Sequence, residues 1–395
     1  MKRPPSPAPS PRPAAPIRDH NRDLVLEVLR CNQPISRVDI ARRSNLQRST
    51  VSAIVDGLIE ERWIREGQIL KTARGRRPTM LTMNDDLVIL VADVRPTQTI
   101  LAVVDLNGRF LDRTLVPVIA NAKQGVEAIA EGMRRLQAQF PDKTCEGVGI
   151  SLPGRVDKRS QRLALAPNLP WVGFDIRGAL QKRLGLQVEL ENAANACMLS
   201  EQWFGRLQGI RNAVLVTISE GVGAALLVNG NLVEGATGMA GELGHIPIAD
   251  SGPQCACGQV GCWEMFASSR AALRYFHENA GSNNQTPTIQ QLLNMEASGN
   301  EKARSALESQ AKGIGRGLRI VTATFDPEVI LFAGDITLRW DTVGPIVASE
   351  LSTRMLTGAP PKLIALADGE AARLRGAAAV VLQRHTGFKR LTALR

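Results

Sequence analysis

The sequence of 395 residues predicts an α/β protein, a body of two similar lobes with a cleft between them, preceded by a winged helix-turn-helix. The body follows from two rounds of three strands and then a helix, one opening near residue 87 and the other near residue 214. The head follows from two short amphipathic helices, a tight turn and a strand-rich wing between residues 18 and 82.

Residues 1–17 combine Pro, Ala and Ser with basic residues and read as a disordered tail. In residues 18–31, Leu24, Val25, Val28 and Leu29 share one helical face. Ser36 with Asp39 three positions on resembles a capping box and opens a short helix over 37–43. Ser44-Asn45 supplies a turn. A second helix over 48–61 turns Val51, Ile54, Val55 and Leu58 inward, and Ile40 and Leu46 complete a small core. Trp63-Ile64 begins a strand, and 64–82 reads as a wing. Next, LVILVADV, TILAVVDL and, after the turn Asn107-Gly108, RFLDRTLVPV read as three strands. Residues 123–139 read as a helix and 145–154 as a buried strand ending in a Gly/Pro loop. The second round has two strands over 214–235, a helix over 300–324, the buried strand VILFAGD over 329–335 and a last helix over 370–384.

The charge is uneven. Residues 1–80 hold 16 Lys and Arg against 8 Asp and Glu, whereas the other 315 residues hold 32 against 30. A basic head on a nearly neutral body suits a polyanion partner, or else a solvated, solubilising end. The helix-turn-helix favours the first. Arg48, Ser49 and Ser52 lie on the side of the second helix away from its core, where short or basic donors reach phosphates and base edges. Arg74, Arg76 and Arg77 sit on a flexible strip suited to a narrow minor groove. A helical protein-interaction module and a plain linker are the alternatives, and the wing favours double-stranded DNA. No apolar run approaches the ~20 residues of a membrane helix, and the N-terminus has no signal-peptide core. A cytoplasmic protein without a membrane partner is the expectation.

Six Cys do not make a disulfide framework. His245, Cys255, Cys257 and Cys262 instead have the donor types of a closed tetrahedral Zn2+ site, so the metal would be structural. Glu242 and Glu264 flank this cluster, and the clip would hold both carboxylates and the imidazole beside one pocket.

The run Gly221-Val222-Gly223-Ala224 to Gly241-Glu242-Leu243-Gly244-His245, followed by Cys255-Ala256-Cys257-Gly258-Gln259-Val260-Gly261-Cys262-Trp263-Glu264, resembles the ROK family of repressors and kinases. The resemblance covers residues 18–395. It implies an actin-like (RNase H-like) sugar-sensing body over 83–395, with the winged head of the repressor branch. By the same resemblance, Glu242, His245, Glu264, Gly154, Arg155, Asn168 and Asn192 match sugar-contacting positions. Separately, Glu264 reads as a surface charge, Asn192 as a helix cap and Arg155 as a salt-bridge partner.

The kinases of the family carry Glu-Asn-Asp-Ala-Asn, whose Asp takes the proton of the attacking hydroxyl. Here the run is Glu191-Asn192-Ala193-Ala194-Asn195, with a methyl group in that place. Asp93-Val94-Arg95-Pro96-Thr97 replaces Asp-x-Gly-Gly-Thr, Ser219-Glu220-Gly221 replaces Gly-Thr-Gly, and Ala333-Gly334-Asp335 stands where paired glycines meet the nucleotide. These departures imply a sensor of a sugar or phosphosugar that has lost its kinase chemistry and has no catalytic residue. It would repress carbohydrate genes as a homodimer or homotetramer. A working kinase with a DNA-binding domain and a regulator controlled by a protein partner are the alternatives.

Overall fold

The computed structural model describes residues 15–69, 78–96, 98–157, 160–166, 168–207, 209–280, 287–353 and 359–383. These fall into two compact units. The first takes the described chain up to Leu87, Asp105–Asn107 and the chain from Val381; the second takes Val88–Val104 and Gly108–Val380.

The first unit holds α1 (Ala15–Asn32), β1 (Ile35–Ser36), α2 (Arg37–Ser44), α3 (Arg48–Glu60), β2 (Ile64–Ile69) and β3 (Thr79–Met83). α1 starts three residues before the predicted 18, with Pro16 in the first turn, where a missing N–H is tolerated. Ser36 caps α2: its Oγ accepts the Asp39 N–H at 3.2 Å and donates to Asp39 Oδ2 at 2.6 Å. Asn45 ends that helix at φ 55, a conformation Asn tolerates. Val25, Leu29, Ile40, Val51, Val55, Leu58 and Trp63 are buried together, while Ile54 is only half-buried. β1 and β2 pair antiparallel on either side of β3. The Gln33 amide accepts the Met83 N–H at 2.8 Å and donates to the Asn107 side chain at 2.7 Å. Arg74, Arg76 and Arg77 lie outside the described residues.

The second unit repeats one pattern twice. The first lobe holds β4 (Leu87–Val94), β5 (Gln98–Asp105), β6 (Phe110–Pro117), α4 (Ala122–Ala138), β7 (Thr144–Leu152), the hairpin β8 (Arg155–Asp157) and β9 (Arg162–Leu165), α5 (Ile176–Leu184), β10 (Val188–Asn192) and α6 (Ala193–Phe204). The second lobe holds β11 (Ala213–Ile218), β12 (Val222–Val228), β13 (Asn231–Leu232), α7 (Glu264–Ala267), α8 (Ser269–Ala280), α9 (Ile289–Ala297), α10 (Glu301–Phe325), β14 (Val329–Gly334), α11 (Trp340–Ser352), β15 (Lys362–Ala365) and α12 (Gly369–Leu382).

The strand orders are β10-β7-β4-β5-β6 and β13-β12-β11-β14-β15. In each sheet the first strand is central, the next two lie on one side, and the last two lie on the other. β10 runs parallel to β7, as β14 does to β11 and β15 to β14. Each sheet has its own core, one with Leu90, Val103, Ile129 and Ile150, the other with Val216, Leu226, Leu307 and Phe332. α6 and α12 cross closely, since a Cβ on Gly376 would lie 1.8 Å from the Ala196 carbonyl. Among the described residues, no helix is long and apolar enough to cross a membrane.

Candidate sugar and metal site with a candidate DNA-binding face

The metal loop is built by short-range hydrogen bonds. Cys255 N–H donates to the Gln259 carbonyl at 2.8 Å, and Gly258 N–H returns to the Cys255 carbonyl at 2.9 Å, closing a tight turn that carries Cys257. Ile248 N–H to Gly261 and Trp263 N–H to Ile246 then lay Cys262 beside the segment after His245. Trp263 fixes the loop to the lobe: it is fully buried, and its indole N–H donates to the Gly313 carbonyl of α10 at 3.0 Å.

The four donor atoms of His245, Cys255, Cys257 and Cys262 lie within 4.8 Å of one another. Cys257 and Cys262 Sγ are 3.6 Å apart, too far for a disulfide, and Cys255 Sγ is 3.4 Å from His245 Nδ1. Zn–S bonds of about 2.3 Å in a tetrahedron place sulfurs about 3.8 Å apart, so the donors fit such an ion in type and spacing. Burial raises the Cys255 and Cys262 thiols, while the Gln259 backbone N–H lowers Cys257. Each must release its proton to ligate a metal.

The His245 ring carries the cluster into the cleft. Its Nδ1 faces Cys255, and its Nε2 faces away, 3.9 Å from Glu242 Oε2. Glu264, 8 % exposed, places Oε1 3.7 Å from Nδ1 and accepts the Cys255 thiol at 2.8 Å. Thus one imidazole can ligate a metal by one nitrogen and meet a ligand or carboxylate by the other. A cavity of ≈ 370 Å³ lined by Gln254, Cys255, Glu264, Ser268 and Arg270 adjoins this group. Ser268 and Arg270 there carry no signal in the sequence.

The first lobe faces the same loop. Gly154 has φ +81, and a Cβ there would lie 2.0 Å from the Leu165 carbonyl, so only glycine suits the turn into β8. A Cβ on Gly238 would lie 2.9 Å from the Val156 carbonyl, which places Arg155 beside the segment leading to Glu242. Asn192 Nδ2 donates to the Gly154 carbonyl at 2.6 Å, and its Oδ1 accepts the Ala194 and Asn195 N–H groups as the cap of α6. That leaves one amide hydrogen for a ligand. Asn168 Nδ2 donates to Glu220 Oε2 of the second lobe at 3.3 Å. Ala193 is the first residue of α6.

In the first unit, Arg48 and Ser49 are exposed at the start of α3, and Ser52 is half-buried one turn on. The α3 N-cap, Gln47, makes no side-chain cap bond, so first-turn N–H groups stay open to an anion such as a phosphate. Arg37 ties α2 to α3 and the wing through Asp56 at 2.6 Å and Glu66 at 3.2 Å.

These features define a winged helix-turn-helix joined to a duplicated, actin-like two-lobed body with a His/Cys cluster beside its cleft. The ROK family model matches residues 91–384, and a winged helix-turn-helix DNA-binding model matches 18–65. The chain belongs to the ROK family. It is 29% identical over 372 residues to the xylose repressor of Bacillus subtilis, covering 93% of this chain and 96% of the relative. A solved ROK family transcriptional regulator, a homologue of the E. coli MLC protein, superposes with TM-score 0.79 at 26% identity over 94% of this chain and 97% of that one. The ROK family glucokinase from Streptomyces griseus, solved with glucose and AMPPNP, superposes with TM-score 0.66 at 27% identity over 75% of this chain and 99% of that one.

Proposed function

We propose that the protein is a sugar-responsive transcription regulator, a repressor of carbohydrate genes, that binds an operator duplex through α3 and the wing. The observation that carries this reading is likeness along nearly the whole chain, head included, to a repressor and a solved regulator. The glucokinase covers 75% of this chain. Glu242, His245, Glu264, Gly154, Arg155, Asn168 and Asn192 are the proposed sugar contacts, with Zn2+ on His245, Cys255, Cys257 and Cys262 holding the second-lobe half of the cleft in shape. A sugar offers a ring of hydroxyls, and carboxylates accept hydrogen bonds from them in pairs.

Phosphoryl transfer is not part of this reading. Loss of a general base removes about 10²–10⁴ in rate, and Ala193 supplies none. A homodimer or homotetramer fits a two-fold-related operator, and sugar acts by favouring one arrangement of the lobes.

Selection of duplexes from a random pool tests the DNA half. Arg48→Ala then weakens the selected duplex by about 1–3 kcal/mol, or about 5–150-fold, in a fluorescence-anisotropy titration, if Arg48 reads a base. Ser52→Ala lies in the same direction. Thermal stability stays within about 0.5 kcal/mol of wild type, because Arg48 is exposed and caps nothing. Equal loss on every duplex would make Arg48 a phosphate contact, and no loss would remove α3 from the interface.

A further inference from the structure

Asp93, at the carboxyl end of the central strand β4, is 1 % exposed and lies at the edge where α/β sheets present ligand-binding groups. Its partners are all supplied by the chain. Arg95 Nε donates to Oδ2 at 2.7 Å, Arg373 Nε of α12 donates to the same oxygen at 2.9 Å, and Ser151 Oγ of β7 donates to Oδ1 at 3.2 Å. Arg95 reaches on through Nη2 to Glu370 Oε2 at 3.1 Å, and Arg113 Nη1 stands 3.7 Å from Glu370 Oε1. One guanidinium therefore fills the gap between two carboxylates, one from β4 and one from α12.

We infer that Arg95 is a built-in cation that occupies the Asp93–Glu370 gap and excludes a divalent metal, and with it a metal–nucleotide, from the first-lobe side of the cleft. The inference deepens the non-enzymatic reading above and rests on it. A buried carboxylate is stable when paired and hydrogen-bonded, and Asp93 has two guanidiniums and a hydroxyl. A divalent ion would have to displace Arg95 and would then sit beside Arg373. Burial alone would lower the Arg373 guanidinium, but the Asp93 charge raises it, so that positive charge stays in place.

The same network holds α12 on the first lobe. The helix begins at Gly369, where a Cβ would lie 3.3 Å from the Gly334 N of the second lobe, and one turn later Arg373 grips Asp93 of the first. The charges around Asp93 thus also tie α12 to the first lobe.

The test uses the full-length, zinc-loaded protein and Mn2+ as a paramagnetic probe, read by water-proton relaxation. Wild type is expected to show no Mn2+ binding that Asp93→Asn removes. Arg95→Gly, which opens the space between Asp93 and Glu370 while Arg373 stays on Asp93 Oδ2, gains one Mn2+ per chain where wild type binds none. That gain disappears in both Arg95→Gly/Asp93→Asn and Arg95→Gly/Glu370→Gln. Near-UV circular dichroism reports whether each variant is folded, and Arg95→Ser replaces Arg95→Gly if the glycine variant is not. Mn2+ bound to wild type through Asp93, or a folded Arg95 variant that gains none, overturns the inference. A parallel assay of wild type with ATP, Mg2+ and hexoses separates the two readings. Turnover sinks the regulator reading, whereas a wrong Mn2+ result without turnover sinks only the role of Arg95.

Discussion

Cys257→Ser is expected to yield a protein with no bound zinc, a lower melting temperature and no response to sugar. The substitution is chosen because Cys257 is exposed, whereas Cys255 and Cys262 are buried and their replacement would disturb packing as well. A metal held at a thousand times its Kd contributes about 4 kcal/mol, and one kcal/mol moves the melting temperature of a larger domain by about 2–4 °C. A fall on the order of 10 °C is therefore expected. The loop would keep its Trp263 anchor on α10 and lose its grip on the His245 ring, whose Nε2 faces Glu242. Metal analysis, a thermal melt and a sugar titration on the same preparation check all three effects. A variant that keeps one zinc per chain removes Cys257 from the ligand set.

The second large effect is at Glu242. Its side chain is partly exposed, caps nothing and lies 3.9 Å from the His245 imidazole, so its removal leaves the fold intact. A hydrogen bond to a charged group contributes about 1.5–3 kcal/mol, so Glu242→Gln should raise the sugar concentration for half-maximal response about 10–150-fold. Metal content and sugar-free operator affinity should match wild type. Unchanged sugar dependence would place Glu242 outside the pocket. Loss of metal along with sugar response would make it a support for His245 rather than a sugar contact.

The features that were legible in the sequence are local ones. The His/Cys donors span eighteen residues, so their spacing alone marked the cluster that the fold then gathers. The head was legible because its signals are local too: Ser36 with Asp39, the Asn45 turn, and one apolar face on each helix. The two lobes showed through runs such as Leu87–Val94, buried at every position, which only a strand covered on both faces tolerates. β1 and β13, two residues each, are too short to show a period, and only pairing with β3 and β12 makes them strands. Of the partners of Asp93, Arg373 could not be read, because it lies 280 positions away on an alanine-rich helix. Asn192 shows the other limit. Its sequence context matched a sugar contact, yet three of its hydrogen bonds serve the α6 cap and the Gly154 turn, so its first task is to shape the loop.

Operator affinity measured against rising sugar, with product analysis in the same tube, tests the account most directly. D-xylose, D-glucose, N-acetyl-D-glucosamine and their phosphates form the panel, with ATP and Mg2+ present. The account predicts that at least one changes operator affinity by about 5–150-fold, the range of an ordinary coupling energy, and leaves the tube chemically unaltered. Phosphorylated product formed at enzymatic speed, or an operator complex indifferent to every compound, would contradict it.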